Sequence, residues 1–310
     1  MVIEISAQEY KRHFNLNPHP FISEQFIELN SWKVEEVVRL VNDNEKFSIG
    51  LVGGIKDGIL LAPFSAPFGG FHYRSENIYI SEIDYFLNGL KEYISTKSLK
   101  SVFISLPPLI YQKSFNAKVV NAFMRLSYDI LLPEITCWVY LPEFENSFSY
   151  KMSRQNFNTS LRNKLTFNIL TTEKGKEMAY NLILENRALF GRPIFMTLDD
   201  IYDINKLLPI DFFGVNNSEG QMVASAIFYQ FTKDIVYGVF WGDNIKGRSV
   251  KSMDFLSFNL WSHYKSMGYK YIDLSKSTEN GLPNESLLWF KEVHECTSSL
   301  RFSFMYNVTK

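Results

Sequence analysis

The sequence predicts an α/β (α+β) chain of two tandem domains, each a mixed central sheet flanked by helices, and three observations carry that prediction. The order of structural signals in residues 47 to 140 recurs in residues 211 to 306: hydrophobic hairpin, amphipathic helix, short β-rich run, second helix, final strand. The matching pieces keep a constant spacing, since Val102 and Lys270, which open corresponding β-runs, stand 168 positions apart and the flanking helices repeat that offset. A chain of 310 residues also has room for two cores, as domains run to about 100 to 200 residues. The predicted division is 1 to 145 and 146 to 310, with a helical connector opening the second part.

Taken in order, residues 1 to 46 hold the polar stretch NLNPHPF and then Val34, Val37, Val38 and Val41 at helical spacing, with Ser31 placed to cap that helix. The hairpin FSIGLVGGIKDGILLAPF turns on Asp57-Gly58, residues that tolerate positive φ. SAPFGGF is loop, its glycines permitting close backbone approach and packing being the simplest use for it. Ile83, Phe86, Leu87, Leu90 and Ile94 form a one-sided stripe over a helix at 81 to 94. A strand at 102 to 106 stops at Pro107-Pro108, a helix spans 116 to 126, and a strand around Ile135 to Leu141 closes the first domain. The connector, 142 to 210, reads as helical: SRQNFNTSLRNKL, a helix from about Gly175 to Phe190, and one capped by Thr197 with Asp200 three positions on. The second domain starts at Phe212 with the hairpin QMVASAIFYQFTKDIVYGVFW and continues with a helix near 250 to 267 ended by Gly268, a strand at 270 to 274 and a helix near 284 to 294.

Composition narrows the function classes. Apolar residues make up 46% and aromatics 16%, so the chain is a packed globular protein and neither disordered nor a coiled coil. A net charge of -1 argues against a dedicated duplex-DNA binder. Cys137 and Cys296 have no CxxC spacing, and His13, His19, His72, His263 and His294 no HxxxH spacing, so no metal site is expected. There is no G-x-S-x-G elbow, no apolar leader segment and no run long enough to span a bilayer, which leads to the expectation of a cytoplasmic monomer.

Some residues stand out on chemistry alone. Lys151, Arg154, Asn158 and Arg162 fall on one stripe of the SRQNFNTSLRNKL helix, with Phe157 and Leu161 as its apolar pair. A positive stripe suits phosphates of a nucleotide-linked acceptor or a tRNA acceptor end, and equally a solvated helix face. Tyr237 and Trp241, four apart on one strand, share a face as core or as substrate contacts. Asp273 ends a β-run, where it either meets a ligand or caps the next turn.

The strand-strand-helix-strand-helix-strand order after Phe212, together with SAPFGGF, SRQNFNTSLRNKL and DFLSFNLWSHYKSMGYKYIDLSKSTENGLPNESLLWFKE, resembles the FemAB-like proteins, in which two GNAT-like domains are joined in tandem. The resemblance implies an N-acyltransferase that moves an acyl or aminoacyl group from an activated donor, aminoacyl-tRNA or acetyl-CoA, to an amine bound between the domains. Its better-known members extend the peptide of cell-wall precursors. It also implies donor entry where the strands around Val236 to Trp241 and Tyr271 to Leu274 part. Lys291, after Phe290, then holds a phosphate or oxyanion, Asp273 is the second catalytic candidate, and Asn280 and Asn284 belong to the substrate loop. Arg248, Ser249 and Lys251 correspond to the donor-phosphate turn. That turn, IKGRSVKSM, has one glycine where acetyl-CoA-binding GNAT proteins have a Q/R-x-x-G-x-G/A cradle, which shifts the reading toward aminoacyl-tRNA or an unusual donor. Glu279 and His294 are candidate proton acceptors. The alternatives are acetyl transfer from acetyl-CoA to an amino sugar or small amine, and a non-catalytic binding protein that retains the fold.

Overall fold

In the computed structural model, which describes residues 1–14, 18–43 and 47–308, the chain forms two units: Met1–Ile135 with Ser299–Lys310, and Thr136–Ser298. Part of NLNPHPF, residues 15 to 17, lies outside the described residues.

The first unit runs β1 (Val2–Glu4), α1 (Ala7–His13), α2 (Glu24–Asn30), β2 (Glu36–Asn42), β3 (Ile49–Lys56), β4 (Ile59–Ala62), β5 (His72–Tyr73), α3 (Ile80–Thr96), β6 (Ser101–Ser105), α4 (Lys113–Arg125) and β7 (Asp129–Ile130). Its sheet has the order β1-β2-β3-β4-β6, then the chain's last strand (Ser303–Asn307), then β7, with β5 against β3. The stripe Ile83, Phe86, Leu87, Leu90 and Ile94 is buried, as an amphipathic helix on a sheet requires. Asp57 and Gly58 both take positive φ, 53° and 77°, and make the tight turn between β3 and β4.

One expectation fails here. The valines at 37, 38 and 41 lie in β2 and not in a helix, and Ser31 follows α2 at its C-terminal end instead of capping a new helix. β2 pairs with β1 on one side and β3 on the other. β-Branched side chains lose least on a pleated surface, and two waiting neighbours outweigh a spacing that a helix also satisfies.

The second unit runs β8 (Glu134–Tyr140), α5 (Lys151–Arg162), β9 (Thr166–Ile169), α6 (Glu173–Leu189), α7 (Leu198–Asn205), β10 (Ile210–Asn216), β11 (Met222–Tyr229), β12 (Ile235–Asp243), α8 (Ile245–Ser249), α9 (Ser252–Ser266), β13 (Tyr271–Lys276), the small hairpin β14 (Thr278–Glu279) and β15 (Leu282–Pro283), α10 (Glu285–Glu292) and β16 (Thr297–Arg301). Its sheet order is β16-β8-β13-β12-β11-β10-β9. On one face Leu256, Leu260, Trp261 and Tyr264 of α9 pack against Phe213, Phe228 and Val236. On α6, Ala179 accepts a hydrogen bond from buried Ser225 of β11 (2.8 Å). Thr197 and Asp200 form the reciprocal cap expected for α7.

The two sheets repeat one plan: an antiparallel meander (β2-β3-β4, β10-β11-β12), a parallel neighbour (β6, β13), then an antiparallel strand. The closing strands depart from simple tandem order. β8, expected to close the first domain, pairs with β13 in the second sheet, and the chain's last strand, β17 (Ser303–Asn307), inserts between β6 and β7 of the first. The units therefore divide near 135 and 298 and not at 145. The connector also contributes an edge strand, β9, that its helical signals concealed. A strand's sequence specifies that it will pair but not which sheet takes it, because backbone hydrogen bonds are the same in both.

Candidate functional site

The two parallel pairs differ. In the first unit all four residues of β4 pair with β6, from Ile59↔Ser101 to Ala62↔Ile104. The loop that follows then bonds to the end of β6: Gly69 N donates to Ser105 O (2.9 Å) and Ser105 Oγ to Pro67 O (3.4 Å). SAPFGGF is thus a packing loop that seals this junction.

In the second unit β12 and β13 pair only at Ile235↔Tyr271, Val236↔Ile272 and Tyr237↔Asp273, although β12 runs on to Asp243 and β13 to Lys276. Beyond Tyr237 the strands part. Opposite β11, Phe228 faces Gly238 and Ile227 faces Phe240, so Val239 is an extra residue, a bulge at the start of the fork. A bulge bends its strand and raises its twist, which carries β12 away from β13. Gly238 to Trp241 are half-buried, unusual for a strand inside a sheet.

The bulge overturns the expectation that Tyr237 and Trp241 share a face. Tyr237 stands opposite Tyr229 and Trp241 opposite Ala226, three apart on an unbulged strand and therefore on opposite faces. Trp241 packs on Trp261 of α9 and Phe290 of α10 (centroids 6.3 and 5.5 Å). The aromatic on Tyr237's face is Phe240, which the spacing argument missed because a bulge leaves no mark in the sequence.

At the tip of β13, Asp273 is buried and its Oδ1 accepts the Ser275 N–H (2.7 Å), the turn-capping role weighed above. Ser275 has φ 61°, and the Tyr237 hydroxyl donates to its Oγ (3.1 Å). Lys291 is 1% exposed, and its Nζ donates to the carbonyls of Leu274 (2.7 Å), Ser275 (3.2 Å) and Lys276 (3.2 Å). An ammonium has three hydrogens, and all three are taken. Lys291 therefore clamps the curled end of β13, and the ligand-facing cation expected there has no donor left. Burial pushes its pKa down, against the opposing pull of Cys137, Cys296 and Asp273.

The remaining residues divide between the fork and elsewhere. Arg248 Nε meets Asp243 Oδ1 (3.3 Å) and its guanidinium lies over Phe190 (5.1 Å), Ser249 Oγ donates to Lys246 O (2.7 Å), and Lys251 takes φ 62° at the start of α9. Of these three only Arg248 meets a carboxylate: Asp243 also accepts from Ser252 Oγ (3.4 Å), and burial raises its pKa against the pull of Arg248. Arg154 donates to the carbonyls of Phe148 and Ser149, and Arg162 to Thr159 Oγ1 (3.0 Å). Both are exposed on α5, whose inner face stacks Phe157 on Phe258 (3.9 Å), so the positive stripe is a solvated face; Leu161 is 50% exposed and no part of the inner face. Asn280, at φ 50°, and Gly281 turn the β14–β15 hairpin, where Glu279 is exposed. His294 is buried between Phe290 O (2.6 Å) and Asp254 Oδ1 (3.1 Å).

Asn284 has two possible settings. Its oxygen can accept from Leu287 N (3.3 Å), or, turned over, from Arg192 Nη1 and Nη2 (2.5 and 2.9 Å), with Nδ2 on Ser286 Oγ (3.1 Å). The second is favoured, because a guanidinium cannot accept from an amide. Arg192 in turn lines a cavity of about 360 Å³ with Arg187, Pro193, Ile194, Phe195, Met196 and Phe240. Neither arginine was singled out from the sequence; the GRP turn that carries Arg192 was the one available signal.

Among the described residues no group of three or more His, Cys, Asp or Glu side chains could hold a metal, and no helix is long and apolar enough to cross a membrane. No protein-family model matches the sequence, and no curated protein matches it. The architecture is that of tandem GNAT-like domains in a FemAB-like arrangement. Solved structures that share it include FemX (12% identity, 99% of this chain and 97% of that one, TM-score 0.68) and L-PGS from Bacillus licheniformis (13%, 99% and 93%, 0.63). A tandem GNAT protein from the clavulanic acid biosynthesis pathway matches at 7% identity over 100% and 99% of the two chains, TM-score 0.57. At such identities the likeness establishes the fold.

Proposed function

We propose that the chain is an acyltransferase of the GNAT type, moving an acyl or aminoacyl group from an activated donor to an amine, with the donor seated in the fork of the second unit. The observation that carries this reading is the parting of β12 and β13 after Tyr237↔Asp273. Backbone groups of β12 beyond that point have no β13 partner, so an extended donor can take the missing strand's place and align its carbonyl. Attack by a neutral amine needs an oriented donor and stabilisation of the developing oxyanion, and neither a metal nor a covalent nucleophile. Lys291 and Asp273 contribute by holding the tip of β13 in the shape that keeps the fork open.

The turn after β12 favours a donor other than acetyl-CoA. The carboxylate of Asp243 meets Ser252, the first residue of α9, near the helix end where pyrophosphate would otherwise meet backbone N–H groups. Its ion pair with Arg248 takes up the cation that the resemblance assigned to a donor phosphate. Aminoacyl-tRNA, whose reactive ester is remote from any pyrophosphate, fits that turn better, and an amine on a small or nucleotide-linked molecule is the acceptor.

The test has two arms. Calorimetric titration with acetyl-CoA is expected to give no heat, and micromolar binding would overturn the donor assignment. Incubation with radiolabelled aminoacyl-tRNA and a panel of amine acceptors is expected to transfer label. No transfer from either donor would leave the fold as a binding protein and sink the enzymatic reading.

A further inference from the structure

The cavity beside Phe240 holds two guanidinium groups and no acid. Arg187 is half-buried in the last turn of α6, and among the described residues its side chain has neither a hydrogen bond nor an ion pair. Arg192, five residues on, donates to the neutral amide of Asn284. Burial lowers the pKa of Arg187, and the like charge of Arg192 lowers it further. A cation near a helix C-terminus is favourable, which accounts for one arginine there but not for a second beside it. The wall is apolar: Ile194, Met196, Phe240 and Phe195, the last 91% exposed. An exposed phenylalanine beside an uncompensated pair of charges makes a site with two demands, one for an anion and one for an apolar surface.

We propose that Arg187 and Arg192 form an oxyanion subsite that takes the carboxylate or phosphate of a ligand whose apolar part lies against Phe240 and Phe195. Guanidinium forks match the paired oxygens of either group, and Asn284 orients one of them. The subsite stands on its own geometry, independent of group transfer, and is measured with no donor or acceptor present.

The probes are phenyl phosphate and benzoate, titrated into the full-length protein by NMR, with cyclohexanol as the uncharged control. At least one anion is expected to bind, shifting amides of residues 187 to 196 and of Phe240, and the stronger of the two identifies the oxyanion. Arg187→Gln and Arg192→Gln should each weaken binding about tenfold or more, as loss of a charge-assisted bond does, at unchanged melting temperature. Phe240→Leu should weaken phenyl phosphate and leave inorganic phosphate unaltered. Absence of binding by both anions, equal binding of cyclohexanol, or undiminished binding in both arginine variants would each overturn the subsite. The fork would then stand or fall on its own assays.

Discussion

The first unit closes its parallel junction and the second opens it, on the same strand plan. In the first, β4 is four residues long, pairs with β6 throughout, and gives way to a loop that bonds to β6's last carbonyl. In the second, β12 is nine residues long, bulges at Val239 and runs on alone, while the carbonyls at the tip of β13 are held by the side chain of Lys291. What differs is how strand-end carbonyls are satisfied. A backbone loop fills the junction it caps, whereas a lysine reaching from α10 satisfies the same kind of group and leaves β12 unpaired with β13 beyond Tyr237.

The largest expected effect comes from removing that clamp. Lys291→Ala strands one buried carbonyl and two part-buried ones and should cost about 3 kcal/mol, read by denaturant unfolding, with loss of any transferase turnover. Unchanged stability and turnover together would show that the tip of β13 holds itself. Hydrogen exchange compares the junctions directly: those amides between Val239 and Gly242 that point away from β11 should exchange about ten times faster or more than those of Leu60 and Leu61, and a bound donor should slow them. Equal protection would mean that the fork is shut in solution.

Acid should separate the units. Burial holds His72 at about 3 and, despite a bond to Gly69 O, His19 at about 4, both below the ordinary 6.5. Since the folded first unit refuses protons that its unfolded chain accepts, its stability is complete above 6.5 and declines as pH falls from 6.5 toward those values. Melting followed by residue-resolved exchange at pH 7 and pH 5 should show the first unit losing protection. His72→Gln should flatten that dependence, and a steeper fall in the variant would contradict the assignment. The smallest effect is local to the β3–β4 turn: Gly58→Ala, forced to φ 77°, should lower stability by about 1 kcal/mol, measured by thermal melting.

Much of the architecture was legible because it rests on local patterns. An apolar stripe located α3, Gly268 marked the end of α9, Asp57-Gly58 marked its hairpin, Thr197 and Asp200 capped α7, and the repeated order of signals disclosed the duplication. The site was less so. Lys291 and Asp273 were located at the right strand end: Lys291 spends its three hydrogens on strand carbonyls in place of the ligand expected of it, and Asp273 takes the turn-capping alternative. Trp241 was placed on the wrong face for want of one bulged residue. Arg187 and Arg192 look like any surface arginines until the absence of a counter-charge is seen in three dimensions.

By itself the sequence determined two α/β sheets of one plan, because hydrophobic period, turn residues and caps act within a few residues of one another. Tertiary structure alone decided which sheet received β8 and β17, that β2 was a strand, and that the loop after β4 closed the first parallel junction. Those outcomes depend on which backbone groups find partners across the fold, and pairing at long range leaves no periodic trace in the chain.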